Sequence, residues 1–272
     1  MFTLHDSIFT SSVLELPRVR HAFSTRLDGV STDSATRSMN VAPGHGDTPE
    51  QIYENISILA GRVGVRAEDT VCTHQIHSSL VCYAGDGMRG RGVVSENPEE
   101  CDGFYTDVPG VALMIRTADC APILLGGLRA DGTPAVCALH AGWRGSCAAI
   151  AWYGCAALGC LGVEAADIFA AVGPCAHAER FEVGEDMRDT AASSTGADFA
   201  ARHIVTRGGR LFADVPGMNR EVLLMSGVPE NHIDISDRCT ISEPELFHSH
   251  RATGGRRGAM GNIIVISPTG EK

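Results

Sequence analysis

Lysine is almost missing from this chain. Lys272, the last residue, is the only one, and every other member of the 22 Lys and Arg residues is arginine. Schiff-base chemistry and a P-loop lysine are thereby excluded, and an anionic ligand must be gripped by arginine or by backbone N–H groups. No Cys-x-x-Cys pair occurs among the 10 cysteines, which removes zinc ribbons and thioredoxin-type redox motifs. No apolar run approaches the roughly 18 residues of a membrane-spanning helix. The segment Met1–Leu16 carries Asp6 and Glu15 and no basic start, so it does not read as a secretory leader, and the cytoplasm is the expected compartment. A net charge of −11 argues against nucleic acid or an anionic membrane surface as partner and leaves a small molecule as the expected ligand.

What is present is an ordinary globular composition, with 44% hydrophobic and 20% charged residues. The chain is long enough for a sizeable core, and nothing divides it, so one domain over residues 1–272 is expected. Cys72, Cys137, Cys147, Cys155 and Cys160 lie in apolar or small-residue segments and read as core filling. Short apolar runs predict strands at Ala22–Thr25, Thr70–Thr73, Leu80–Ala84, Gly103–Thr106, Ala112–Arg116, Pro122–Gly126, Ala135–Leu139, Ile168–Val172, Ile233–Ile235 and Ile263–Ile266. Helices are expected at Pro49–Val63, Gly145–Leu161, Glu185–Thr190, Ala197–Ala201 and Val215–Ser226. Interleaved elements joined by long connections point to an α+β fold with mixed sheets.

Three polar segments follow or interrupt strong strands: Cys72–His77, Thr117–Cys120 and Leu139–Gly145. Polar groups that abruptly end apolar strands are where a scaffold presents reactive side chains. If the segments converge, His77, Cys120 and His140 offer two imidazoles and a thiolate, the donors zinc prefers, with a fourth position left for water or substrate. Their spacing is not a local metal motif. A Cys–His hydrolase with Asp119 nearby, or histidines serving only the structure, fits the spacing equally.

The segments His21–Arg26, Gly29-Val30-Ser31, Gly46-Asp47, Gln75-Ile76-His77, Ala118–Pro122 and His140–Gly145 together resemble the YfiH/laccase-domain family. So do Gly173-Pro174-Cys175, Phe181–Gly184, Cys239-Thr240 and Phe247–Arg251 in the C-terminal half. The family has been called multicopper polyphenol oxidase and includes purine nucleoside phosphorylases with adenosine deaminase side activity. The resemblance implies a four-layer α/β/β/α arrangement and one zinc ion held by His77, Cys120 and His140. It implies phosphorolysis of adenosine, inosine or guanosine, with a nucleoside and phosphate as ligands and a monomer or weak homodimer as the working form. Asp119, Arg144 and His250 are the candidates for catalysis, each weighed against a structural role, and Ser24, Arg26, Asn40, Asp47, Ser249 and Arg251 are the candidates for substrate and phosphate. His74 and His248 are further candidates for proton transfer, and Trp143 for stacking or packing; no chemical role follows for Cys175 and Cys239.

Departures touch the anion site rather than the metal. Ile56 stands where the family commonly has an arginine, with Arg62 as a possible substitute, and the Gly255–Gly258 segment with its two arginines is off pattern. Two other classes remain as alternatives. One is a copper oxidase acting on phenols, for which 11 histidines with a single His-x-His pair, His248 and His250, are few. The other is a hydrolase, or an editing factor for peptidoglycan precursors, with Cys120 as nucleophile.

Overall fold

The longest apolar runs become strands covered on both faces in the computed structural model, which describes residues 1–268; Lys272 lies outside them. The first half of the chain forms β1 (Phe2–His5), β2 (Ile8–Ser11), β3 (Val19–Ser24), α1 (Pro49–Arg62), β4 (Thr70–Cys72), β5 (Val81–Tyr83), β6 (Gly103–Thr106) and β7 (Ala112–Thr117). Then come β8 (Ala121–Leu128), β9 (Pro134–Ala141), α2 (Trp143–Cys147), α3 (Ile150–Cys160), β10 (Ile168–Val172), β11 (Glu182–Val183), α4 (Glu185–Thr195) and α5 (Ala197–His203). The remainder is β12 (Ile204–Arg207), β13 (Arg210–Ala213), α6 (Val215–Met225), β14 (Ile233–Ile235), α7 (His250–Thr253) and β15 (Met260–Ile266).

Two six-stranded sheets run in the orders β1-β2-β3-β15-β7-β4 and β14-β10-β8-β9-β6-β5, beside a three-stranded sheet β11-β13-β12. Both large sheets are mixed: β4 with β7, β5 with β6 and β10 with β14 are parallel, among antiparallel neighbours. The period of two along a strand sorts side chains into layers. On β7, Leu113 and Ile115 face Leu124, Val136 and Ala138 of the second sheet, while Ala112 and Met114 face Ile52, Ile56 and Leu59 of α1. On the far side of the second sheet, Ile123, Leu125 and Leu139 pack against Ile150 and Leu158 of α3 and Val222 of α6. The result is the α/β/β/α stack expected, and covering both faces is why these strands show no polar alternation.

α1 starts on a capping box: the Thr48 hydroxyl accepts from Gln51 N, and the Gln51 amide oxygen accepts from Thr48 N. Pro49 follows at the first helical position, where its missing N–H costs nothing. The expected helix Gly145–Leu161 is instead two helices, because Ala149 takes a left-handed conformation with φ 57° and ψ 44°. α3 then lies close enough on β9 that a Cβ at Gly154 would come 2.6 Å from Leu139 Cδ1. The sequence reading does not anticipate β1, β2 or the β11–β13 sheet, whose strands are two to four residues long, with β1 and β12 largely exposed. Cys72, Cys137, Cys147 and Cys155 are buried as expected, but Cys160 is exposed at the end of α3. Among the described residues no helix is long and apolar enough to cross a membrane.

Two buried histidines make the fold sensitive to acid. His21 Nε2 accepts from Ser11 N at 2.8 Å, and the His248 ring donates to Met39 O at 3.0 Å. Burial lowers both pKa values to about 4, against about 6.5 in an unfolded chain. Both are neutral in the fold, so their contribution is complete above pH 6.5 and is lost as the pH falls toward 4, at up to about 3 kcal/mol each. Urea midpoints measured from pH 7 to 4.5 are expected to fall steeply. The fall should be shallower in His21→Gln, whose amide oxygen can still accept from Ser11; an unchanged slope would contradict this account.

Candidate metal centre

Strand pairing brings the three donors together. The turn Thr117–Cys120 carries the chain from β7 in the first sheet to β8 in the second, with Asp119 at φ 86°. Cys120 immediately precedes Ala121, which pairs with Ala141, and Pro122 pairs with His140. His77 comes from the loop between β4 and β5 and holds φ 60°. The donor atoms of His77, Cys120 and His140 all lie within 4.8 Å of one another. The two imidazoles meet edge to face at 84°, with centroids 4.9 Å apart.

A residue that the sequence reading overlooked underlies them. Asp102 is fully buried just before β6, and its carbonyl accepts from His140 N at 2.7 Å. Its Oδ1 accepts from His140 Nδ1 at 2.7 Å and from His77 N at 3.0 Å. Its Oδ2 accepts from Ser78 N at 2.6 Å, Ser78 Oγ at 2.7 Å and Ile76 N at 3.3 Å. Burial opposes the charge on Asp102, but the bonds from His140 and Ser78 hold it down to about 2. Burial likewise opposes the Cys120 thiolate, yet His140 and His77 bring it down to about 6. His140, although burial disfavours its charge, is drawn up to about 9 by Cys120 and Asp102. Without metal, the sulfur is therefore already a thiolate at neutral pH, the protonation state a metal requires of a cysteine, held beside a protonated His140 that a metal would have to deprotonate.

Room above the donors is also provided. A Cβ on Gly142 would meet His77 Cδ2 at 2.9 Å, Cys120 Sγ at 3.4 Å and His140 Cε1 at 3.5 Å. The Gly142 backbone, φ −63° and ψ 165°, is open to any residue, so space alone explains the glycine. Two imidazoles and a thiolate around such a space fit zinc with an open coordination position. The same order of thiolate, imidazole and carboxylate in Cys120, His140 and Asp102 would also serve a nucleophilic cysteine.

Two cavities flank the donors, one of about 720 Å³ and one of about 350 Å³, and both are lined by His77, Cys120 and Arg257. The larger adds His74, Gln75, Glu96, Glu100 and Arg116. The smaller adds Asp119, Trp143, Arg144, Phe181, His250 and Arg251. Arg257 was noticed in the sequence only as an off-pattern residue. Its buried Nε has no partner, and burial lowers its pKa against the opposing pull of Cys120 and Asp119.

The three residues expected to be catalytic all line the smaller cavity, but Asp119 is committed there. Its Oδ1 accepts from Thr240 Oγ1 and its Oδ2 from Arg251 N, both at 2.7 Å, so it ties two loops to the β7–β8 turn. Arg144 lies over the Trp143 ring at 4.1 Å. Arg251 lies over Phe181 at 4.9 Å and donates to Glu182 O at 2.6 Å. Ser24, Arg26, Asn40, Asp47 and Ser249 line neither cavity, and each makes hydrogen bonds to the scaffold instead. Ser24 accepts from Gly261 N, Arg26 donates to Arg37 O and Pro244 O, and Ser249 caps α7. Asp47 accepts from Ser31, Thr36 and Asn40, and Asn40 accepts in turn from Ala42 N and Ala259 N. Ile56 is buried on the core-facing side of α1, and Arg62 reaches Asp6 at 3.4 Å in a separate recess rather than standing in for a lost arginine here.

Fold and site together define a class: four-layer α/β/β/α proteins with one His–Cys–His donor set between two cavities. The chain belongs to the family described as multi-copper polyphenol oxidoreductase laccase, which it matches over residues 20–267. It is 33% identical to a purine nucleoside phosphorylase of Deinococcus radiodurans over 248 residues, covering 91% of this chain and 89% of that one. It is 31% identical over 243 residues to adenosine deaminase RL5 from an unknown prokaryotic organism, covering 87% and 90%. Among solved structures, Bacillus licheniformis hypothetical protein YfiH superposes with a TM-score of 0.89 at 26% identity, over 98% of this chain and 99% of that one.

Gly142→Ala tests the reading of the space above the donors. Zinc affinity, measured by competition with a chelator, is expected to fall about tenfold or more, with the metal-free chain still folding cooperatively at a somewhat lower melting temperature. Affinity equal to the unaltered chain's would show that the space has another purpose.

Proposed function

We propose that this chain is a zinc-dependent purine nucleoside phosphorylase acting on adenosine, inosine and guanosine, with adenosine deaminase side activity. The observation that carries the reading is the donor set opening on a cavity lined by aromatic rings and arginines, in a chain about one third identical to a protein named for that reaction. Zinc, when held by His77, Cys120 and His140, supplies a Lewis-acid position. Trp143 and Phe181, each with an arginine over its ring, contribute apolar area to the cavity wall for a purine. Arg257, with its uncommitted Nε, and the exposed Arg144 offer charge-assisted bonds to phosphate. In this reading a phosphate oxygen attacks the anomeric carbon, the C–N bond electrons pass to the purine, and His250, which lines the cavity, gives the purine its proton. Deamination in the same cavity adds water at the ring carbon that bears the amino group of adenosine and expels ammonia, leaving inosine. The chain would work in the cytoplasm on free nucleosides.

The copper oxidase alternative has the family's description behind it, but among the described residues His77, Cys120 and His140 are the one metal-competent group of its kind. His248 and His250 do not form another, since His248 is buried on Met39 O and His250 is exposed. The hydrolase alternative draws on the alignment of Cys120, His140 and Asp102. Against it stands His77, a second imidazole on the same sulfur, which a nucleophile does not need. Alkylation separates these readings: zinc should protect Cys120, whereas rapid labelling of zinc-loaded protein supports the nucleophile.

Zinc-loaded protein is expected to release hypoxanthine from inosine only when inorganic phosphate is present. Arg257→Ala should raise the KM for phosphate roughly tenfold to a hundredfold, the worth of one or two charge-assisted hydrogen bonds. No hypoxanthine release by fully loaded protein would overturn the phosphorylase reading.

A further inference from the structure

Asp102 does more than accompany one ligand. Three successive backbone N–H groups, those of Ile76, His77 and Ser78, converge on its carboxylate at 3.3, 3.0 and 2.6 Å. Such a concave run of N–H groups is an anion nest, and here the anion is a side chain of the same protein, with no exposure to solvent. His77 sits in the middle of the nest with φ 60°, a conformation that residues bearing a Cβ avoid unless their surroundings impose it. The Oδ1 atom that accepts from His77 N also accepts from His140 Nδ1 at 2.7 Å. One oxygen thus touches the backbone of one donor residue and the ring of another.

We propose that Asp102 is a positioning residue that sets two of the three donors at once. It fixes His140 with its proton on Nδ1, so that Nε2 faces Cys120 and His77, and it holds the His77 loop in the one backbone conformation that turns that ring inward. The proposal rests on reading the triad as a metal site. Charge is essential to it: an asparagine in place of Asp102 would point amide N–H donors at the N–H groups of the nest, although its shape is that of aspartate. Neighbouring Ser78 provides a contrast. Its hydroxyl bonds the same carboxylate at 2.7 Å but carries no ligand, so Ser78→Ala should leave the nest and His140 in place.

Zinc affinity of Asp102→Asn, measured by chelator competition, is expected to fall about tenfold to a hundredfold, and that of Ser78→Ala by no more than about threefold. Cobalt loaded in place of zinc should give an altered visible spectrum in Asp102→Asn and an unaltered one in Ser78→Ala. In the unaltered zinc-loaded chain, nitrogen NMR should find the His140 proton on Nδ1. Asp102→Asn binding zinc as tightly as the unaltered chain, or a His140 proton on Nε2, overturns the proposal. The second measurement decides the matter if Asp102→Asn does not fold. If the unaltered chain takes up no zinc, the metal reading fails instead. Amide exchange in the metal-free chain then decides for Asp102: exchange at His77 and Ser78 at least about tenfold faster in Asp102→Asn upholds it, and equal rates overturn it.

Discussion

The pairing of β8 with β9 carries the molecule. It runs from Ala121 opposite Ala141 to Leu128 opposite Pro134, at the centre of the second sheet. Both faces of these strands are buried, one against the first sheet and one against α3 and α6. A slip of one residue would exchange Ile123 and Leu125 with Leu124 between two unlike environments, so the register is strongly specified. That register sets Cys120 beside His140. The next strand, β6, pairs Gly103 with Leu139 and so delivers Asp102 to the same place. Hydrophobic sorting of side chains, an undirected force, thereby fixes a polar centre to within hydrogen-bond distances.

Division of labour among the polar residues follows from saturation. A buried group already holding its full set of partners is scaffold, whatever its residue type suggests. Asp47, Asn40 and Asn55 knit the long connection between β3 and α1, with Asn55 Nδ2 reaching Ser31 and Asn40 O at 2.9 and 2.8 Å. In the proposed function, the groups left unsaturated at the cavities, Arg257 above all, are the ones that meet the ligand. In a chain whose only lysine is its last residue, such arginines are the means of meeting an anion.

The core was legible because strands buried on both faces appear as unbroken apolar runs, and α1 because Thr48, Pro49 and Gln51 mark its start. The break at Ala149 was not, since an alanine pair signals nothing of a left-handed turn. The β12–β13 hairpin did carry a sign, Gly208-Gly209 between short strands, but its exposed residues lack the apolar pattern on which strands were sought. At the site, the residue types of His77, Cys120 and His140 were visible, and their convergence was not, because it depends on long-range register. Asp102 looked like one aspartate in a Cys-Asp-Gly turn; only its place beside β9 gives it meaning. Ser24, Arg26, Asn40, Asp47 and Ser249 were assigned to substrate by resemblance, and sequence shows residue type without showing which hydrogen bonds are already made.

The central claim is that one zinc ion belongs to the space between His77, Cys120 and His140. The most direct test is elemental analysis of protein purified without added metal, for the unaltered chain and for Cys120→Ala. The account predicts close to one zinc and little copper per unaltered chain, and loss of that zinc in Cys120→Ala. Copper in excess of zinc, or a full complement of zinc retained without the cysteine, would contradict it.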